Sequence, residues 1–271
     1  MSVRTTSKDT RGFGSSKVLD SHSLEFLSTR RTGGSGGASS SSSYVTSNLL
    51  MYVDASESES YPGSGTTWYD LSGNGKHLSL TNGPTFVGGS SPKYFSFDGT
   101  DDEAGTTSIT TFNNTNNVSI TIEGWVRIPD TTGYRHIMGW RDSSSPYDNF
   151  FFLLLSNTPN TEARLTINSS TNLDINYNPG DNYWTLWKQI VFTFDRSDSK
   201  TRLYVNGSLV STSSGTVSGT FGTLGSVGYK VGGSTFYTQM EGSKFLVYNK
   251  ALSSSEVSQN YNVFKSEFGL T

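Results

Sequence analysis

Val118-Ser119-Ile120-Thr121-Ile122-Glu123-Gly124-Trp125-Val126-Arg127-Ile128 alternates without a break. Val118, Ile120, Ile122, Val126 and Ile128 share one face with Gly124, while Ser119, Thr121, Glu123, Trp125 and Arg127 take the other, because successive side chains of a strand point to opposite sides. This period predicts a β-strand buried on one face only. It recurs at Ala163, Leu165 and Ile167, at Ile190, Phe192 and Phe194, at Leu203 and Val205, and at Phe245 and Val247. Strands so spaced, with turns between them, suit two packed antiparallel sheets.

Asn206-Gly207 stands between Leu203-Tyr204-Val205 and Ser208-Leu209-Val210, and both residues tolerate the positive φ of a type I′ hairpin. Further on, Ser253 followed by Glu256 fits a helix capping box, with Val257, Tyr261 and Phe264 at helical spacing behind it. One short terminal helix is therefore expected to cover a sheet edge or end. The 29 glycines and the aromatic fraction of 13% favour short strands and tight turns over long helices. A chain of 271 residues has room for one large all-β domain with an appendage. With no cysteine, disulfides and thiolate metal sites are excluded. No stretch approaches the roughly 20 apolar residues of a membrane span, and Met1 is followed by polar sequence. The expectation is a soluble protein without membrane insertion and, if it acts outside a cell, without conventional secretion.

Between Thr32 and Ser43 the chain is almost entirely Gly and Ser, a composition that behaves as a tether. It divides a docking arm, residues 1–31, and a linker, residues 32–47, from a body at residues 48–271. In the arm, Val18, Leu19, Leu24, Phe26 and Leu27 suffice for one docking element but not for a core, so they imply a partner. Residues 1–47 hold six Lys or Arg against three Asp or Glu, leaving 14 against 20 in the body, so the tail is +3 and the body −6. An acidic body without a phosphate-binding lysine motif argues against nucleic acid or nucleotide as partner. An oligomer built through sheet edges or the tail stays open.

A series of motifs follows in fixed order: Trp68-Tyr69-Asp70-Leu71-Ser72-Gly73-Asn74-Gly75, Phe97-Asp98-Gly99-Thr100-Asp101-Asp102, Ile120-Thr121-Ile122-Glu123-Gly124-Trp125-Val126, Phe192-Thr193-Phe194-Asp195 and Leu203-Tyr204-Val205-Asn206-Gly207. Phe245-Leu246-Val247-Tyr248-Asn249-Lys250-Ala251-Leu252-Ser253 then leads into Glu256-Val257 and Asn260-Tyr261. Over residues 48–271 this order resembles the concanavalin A-like, laminin G-type jelly-roll domains. The expected fold is all-β, a two-sheet antiparallel jelly-roll sandwich with a short C-terminal helix and an extended N-terminal arm. The wording from Tyr61-Pro62-Gly63-Ser64-Gly65 to Leu80-Thr81-Asn82-Gly83-Pro84 is similar to laminin G-like domains in virion proteins of tailed bacteriophages. That resemblance implies a non-enzymatic virion structural protein, decorating a capsid or belonging to a tail or fibre. Its arm would bind other virion proteins, and its sandwich would be displayed for adhesion to host-surface glycans. A free carbohydrate-binding lectin is the alternative, and a glycan hydrolase comes third.

Hydrolysis meets an obstacle in the residues. Retaining glycosidases need two carboxylates about 5 Å apart. The glucanases of this fold carry them on one strand as Glu-x-Asp-x-x-Glu, an array this sequence lacks; its nearest approach, Glu57-x-Glu59, lies in a polar loop. His22, His77 and His136 are scattered, and no Gly-x-Ser-x-Gly elbow accompanies them. Asp70-x-Ser72-x-Asn74-Gly75 copies half of a calcium loop, but Thr81 stands where the bidentate Glu is required, so Asx turns explain it better. Asp98, Asp101 and Asp102 cluster on a Gly-containing turn and are the candidate Ca2+ ligands, with a purely structural turn as the alternative. Sugar recognition needs exposed aromatic faces beside polar partners. Tyr134, Trp140 and Tyr147 in one loop-rich region, and Trp184, flanked by Tyr183 and Trp187, in another are the candidates.

Overall fold

The computed structural model describes residues 43–106, 119–129, 135–141, 150–156, 162–167, 175, 177, 179–180, 183–214, 228–231 and 239–271. Val18, Leu19, Leu24, Phe26 and Leu27 of the expected docking arm lie outside the described residues. The described strands are β1 (Leu49–Asp54), β2 (Thr67–Trp68), β3 (Leu78–Thr81), β4 (Thr85–Val87), β5 (Tyr94–Asp98), β6 (Glu103–Thr106), β7 (Ile120–Arg127) and β8 (Arg135–Arg141). They continue with β9 (Phe150–Ser156), β10 (Glu162–Ile167), β11 (Lys188–Asp195), β12 (Lys200–Val205), β13 (Ser208–Ser214), β14 (Gly228–Val231) and β15 (Gln239–Tyr248).

Two antiparallel sheets result. The first runs β13-β12-β11-β7-β15-β5-β4, with β1 also paired to β15, and the second runs β10-β9-β8-β14-β6-β3-β2. The all-β jelly-roll sandwich expected from the alternation is therefore the observed fold. Its inner core takes Met51 and Val53 from β1, Phe95 and Phe97 from β5, Ile120, Ile122 and Val126 from β7, Phe192 and Phe194 from β11, and Phe245 and Val247 from β15. Trp68, Leu78, Ala104 and Met138 of the second sheet meet them. Gly124 lies at a close approach of the two sheets: a Cβ there would stand 2.9 Å from Met138 Cε and 3.1 Å from the Phe245 ring, so a side chain would require these neighbours to shift.

The hairpin forms as the sequence predicts, with φ of 48° at Asn206 and 76° at Gly207. Gln189 pins it: the Asn206 N–H donates to the Gln189 carbonyl at 3.0 Å, and the Gly207 N–H donates to Gln189 Oε1 at 2.9 Å. The terminal helix α1 (Ser254–Phe264) begins with the predicted capping box, Ser253 and Glu256 each bonding the other's backbone N–H.

One expectation needs correction and another needs extension. The β7 strand is buried on both faces, since Thr121, Glu123 and Trp125 are as inaccessible as Ile120 and Ile122. The helix reaches the edge strand β13 as expected, but with the 3-10 turn that follows it (Lys265–Phe268) it also packs across the outer face of the first sheet. Trp125 stacks on Phe268 at 4.4 Å and meets the Phe264 ring edge-on at 6.0 Å. The cause is non-local: a segment more than a hundred residues away in sequence supplies a second apolar layer, which strand periodicity alone cannot announce. Tyr44 and Val45, placed in the linker by composition, join this layer. Val45 N–H donates to Asn260 Oδ1 at 2.8 Å, and Tyr44 packs on Tyr52 with ring centroids 4.9 Å apart.

Candidate functional site

The 3-10 turn Tyr183–Thr185 leads into β11 at one end of the sandwich. Its Trp184 carbonyl accepts the Ile128 N–H at 2.8 Å, which ties the turn to the end of β7. The Trp184 side chain is 1% exposed and belongs to the inner core. As a sugar-stacking candidate it is thereby corrected, because an indole enclosed between the sheets presents no face to a ligand. Tyr134 and Tyr147 lie outside the described residues. Trp140 lies on β8, in register with Phe151 of β9 and Tyr229 of β14.

Just beyond the turn, Leu186 is 63% exposed, and Trp187 joins the outer layer, half-buried over Phe268 with ring centroids 5.2 Å apart. Arg127, at the end of β7, lies opposite Glu241 of β15, and its Nε donates to the Glu241 carboxylate. Its guanidinium rests 5.6 Å from the Trp187 ring centre and 5.9 Å from that of Tyr94, and these two rings stand 5.5 Å apart. The Glu241 hydrogen bond holds the guanidinium above its ordinary pKa, so Arg127 is a fixed cation. Arg127 keeps 35% of its side chain exposed against 13% for Glu241, so the arginine is the more accessible member of the pair. Aromatic faces beside a fixed pair of hydrogen-bonding groups meet the requirements of a saccharide ledge. Composition had pointed to Trp187 as a neighbour of Trp184; Arg127 and Glu241, 114 residues apart, carried no sequence signal.

On the inner side of the turn, Tyr183 and Tyr177 pack edge-on with centroids 6.1 Å apart, and both rings touch Trp184. Lys188 Nζ sits 4.2 Å above the Tyr183 ring. Burial, aided by the adjacent Tyr177, pushes the Tyr183 phenol up to about 12.

The acidic clusters brace turns. Asp98 Oδ1 accepts the Thr100 N–H at 2.7 Å, and Asp102 Oδ2 accepts the Asp98 N–H at 2.9 Å. Backbone donors hold the Asp98 carboxyl below its usual range, whereas burial raises that of Asp102. One oxygen from each of Asp98, Asp101 and Asp102 lies within 4.8 Å of the others, a spacing at which they could hold a hard cation. They supply three of the about six to eight oxygens that calcium takes. Asp70 is occupied within the fold: Oδ1 accepts the Tyr52 and Ser72 N–H groups and Oδ2 accepts the Lys76 N–H and the Ser72 hydroxyl. Asn74 Nδ2 bonds the Leu49 carbonyl at 2.9 Å, completing an Asx-type brace for β1. Glu57 and Glu59 are exposed on a turn. His77 Nδ1 accepts the Asp70 N–H at 3.0 Å, and His136 is buried in β8.

The chain belongs to the concanavalin A-like lectin/glucanases superfamily, whose laminin G description matches residues 98–258. It is a lectin-like jelly-roll domain. Among solved structures it is similar to the binding domain of Paraclostridial Mosquitocidal Protein 1, at 18% identity and a TM-score of 0.63 over 83% of this chain and 56% of that one. It is also similar to the binding domain of Botulinum Neurotoxin DC in complex with SialylT, at 15% identity and a TM-score of 0.57 over 80% of this chain and 52% of that one. A third similar structure is Trypanosoma rangeli sialidase in complex with sialic acid, at 14% identity and a TM-score of 0.58 over 81% of this chain and 33% of that one. The chain thus spans about half the length of the toxin domains and a third of the sialidase. Curated protein sequences gave no match. No helix among the described residues is long and apolar enough to cross a membrane.

Proposed function

We propose that this chain is a non-enzymatic carbohydrate-binding module, displayed on a bacteriophage virion for adhesion to host-surface glycans. The observation that carries the binding half of this reading is the ledge of Tyr94 and Trp187 around the Arg127–Glu241 pair. The accessible parts of these half-buried rings take the apolar face of a sugar, and the fixed guanidinium and carboxylate take its hydroxyls. Support comes from the fold's similarity to a toxin binding domain in complex with SialylT and to a sialidase in complex with sialic acid. A non-enzymatic role is supported by the missing Glu-x-Asp-x-x-Glu array and by the exposed, turn-borne position of Glu57 and Glu59. The virion setting, with residues 1–31 as docking arm, is supported by the motif wording from Tyr61 to Pro84 and by the Gly/Ser tether between a basic tail and an acidic body.

Two measurements test it. Sedimentation of the native source lysate, with mass spectrometry of the particle fraction, should find the protein in particles; hundreds of copies per particle mean capsid decoration, a few dozen or fewer mean tail or fibre, and absence overturns the virion setting in favour of a free lectin. Saturable binding on a saccharide array should weaken at least tenfold in Trp187→Ala, while equal binding by that variant rules out the ledge.

A further inference from the structure

Lys188 opens β11 on the inner side of the sheet, in register with the core residue Val126. The residue is 7% exposed, yet no carboxylate among the described residues pairs with its ammonium. The contrast within the molecule is direct: buried Lys244 is held by Asp54 at 2.6 Å and Glu267 at 2.8 Å. Among the described residues Lys188 has the face of Tyr183 beneath it, and desolvation lowers its pKa. A desolvated ammonium without a counter-charge destabilises a fold, so its place there needs a compensating role. Beside it the partly exposed Tyr183, which opens the turn, and Tyr177 offer ring faces and phenol groups.

We propose that Lys188, with Tyr183 and Tyr177, forms a recognition site for the carboxylate of an acidic saccharide. This deepens the glycan-binding reading and rests on it. The ammonium supplies the missing charge partner, as a point charge that needs no bidentate alignment. The tyrosine rings take the sugar's apolar face and their hydroxyls its polar substituents. The site's ligand is therefore a sugar bearing a carboxylate, not a neutral hexose.

The test uses the full chain on an array that pairs acidic oligosaccharides, sialyl- and glucuronyl-terminated, with the same compounds reduced at the carboxyl group. Wild type should prefer the acidic member of a pair by at least tenfold. Lys188→Met should lose that preference, with an unfolding midpoint that is unchanged or raised because an unpaired buried charge has been removed. Equal binding of acidic and reduced partners, or an unaltered preference in Lys188→Met, overturns the carboxylate site and leaves the glycan-binding reading standing. A lowered midpoint in Lys188→Met shows a structural lysine and also overturns the site. Binding to neither member of any pair overturns both readings at once. Tyr183→Phe, which keeps the ring under the ammonium, separates the phenol's part from that of the charge.

Discussion

Trp184 and Trp187 stand three residues apart at the entry to β11, yet they pack on opposite sides of the first sheet: Trp184 belongs to the inner core, and Trp187 to the outer aromatic layer. Their substitutions should therefore diverge. Trp184→Ala leaves a cavity between the sheets and should cost about 3–5 kcal/mol of stability. Trp187→Ala removes a half-exposed ring and should cost far less stability while weakening saccharide binding. Chemical denaturation and a binding titration on both variants check this, and comparable stability losses would contradict the assignment of the two faces.

Glu123 lies fully buried on β7 among three donors: Trp125 Nε1 at 3.1 Å, Gln189 Nε2 at 2.8 Å and Asn260 Nδ2 at 2.7 Å. Burial pushes its carboxyl above the ordinary value, with the three hydrogen bonds opposing. A carboxyl whose folded pKa is raised binds its proton more tightly in the folded state, so its contribution is full below the unfolded value and is lost as pH rises through the folded one. Glu123→Gln should abolish that slope. It also sets an amide N–H against the Asn260 N–H, because Asn260 Oδ1 is already committed to Val45, and should cost about 1–3 kcal/mol. Unfolding curves at several pH values from 4 upward read both effects, and a variant retaining the wild-type slope would assign it elsewhere.

Lys244 joins β15 to β1 and to the C-terminal 3-10 turn through Asp54 and Glu267. The Tyr52 hydroxyl donates to Asp54 at 2.7 Å and the Ser56 N–H at 2.8 Å, so the acid is fully partnered. Lys244→Met strands a carboxylate of 2% exposure and should cost about 3–5 kcal/mol. Asp54→Asn combined with it should recover part of that loss. Strict additivity in this double-mutant cycle would show that the two side chains are not coupled.

Asp70 should behave as a brace for β1. Asp70→Ala deprives the buried Tyr52 N–H of its acceptor, for about 1–3 kcal/mol from that group alone. Asp70→Asn retains one carbonyl oxygen and should lose less. A smaller effect from Ala than from Asn would refute the brace.

How much was legible in the sequence follows the range of the interactions. The inner face of β7, the Asn206-Gly207 hairpin and the Ser253–Glu256 capping box were readable because each depends on residues within a few positions, where side-chain period and backbone φ act directly. The motif order carried the family for the same reason. The outer layer was not readable: Glu123 looks like a solvent-facing polar residue until Asn260 and Gln189 converge on it.

The candidate site divides in the same way. Composition drew notice to the aromatic turn around residues 183–187 but could not say which tryptophan faces outward, and it chose Trp184. Arg127 meets Glu241, and Lys188 is enclosed with no paired carboxylate among the described residues, only through strand register and the stacking of two sheets. The sequence by itself determined the strands and turns, which follow from local period and turn chemistry, and its motif order carried the jelly-roll class by resemblance. Only the tertiary structure decided which polar and aromatic groups are enclosed and which meet solvent, because burial depends on what distant segments bring to each face.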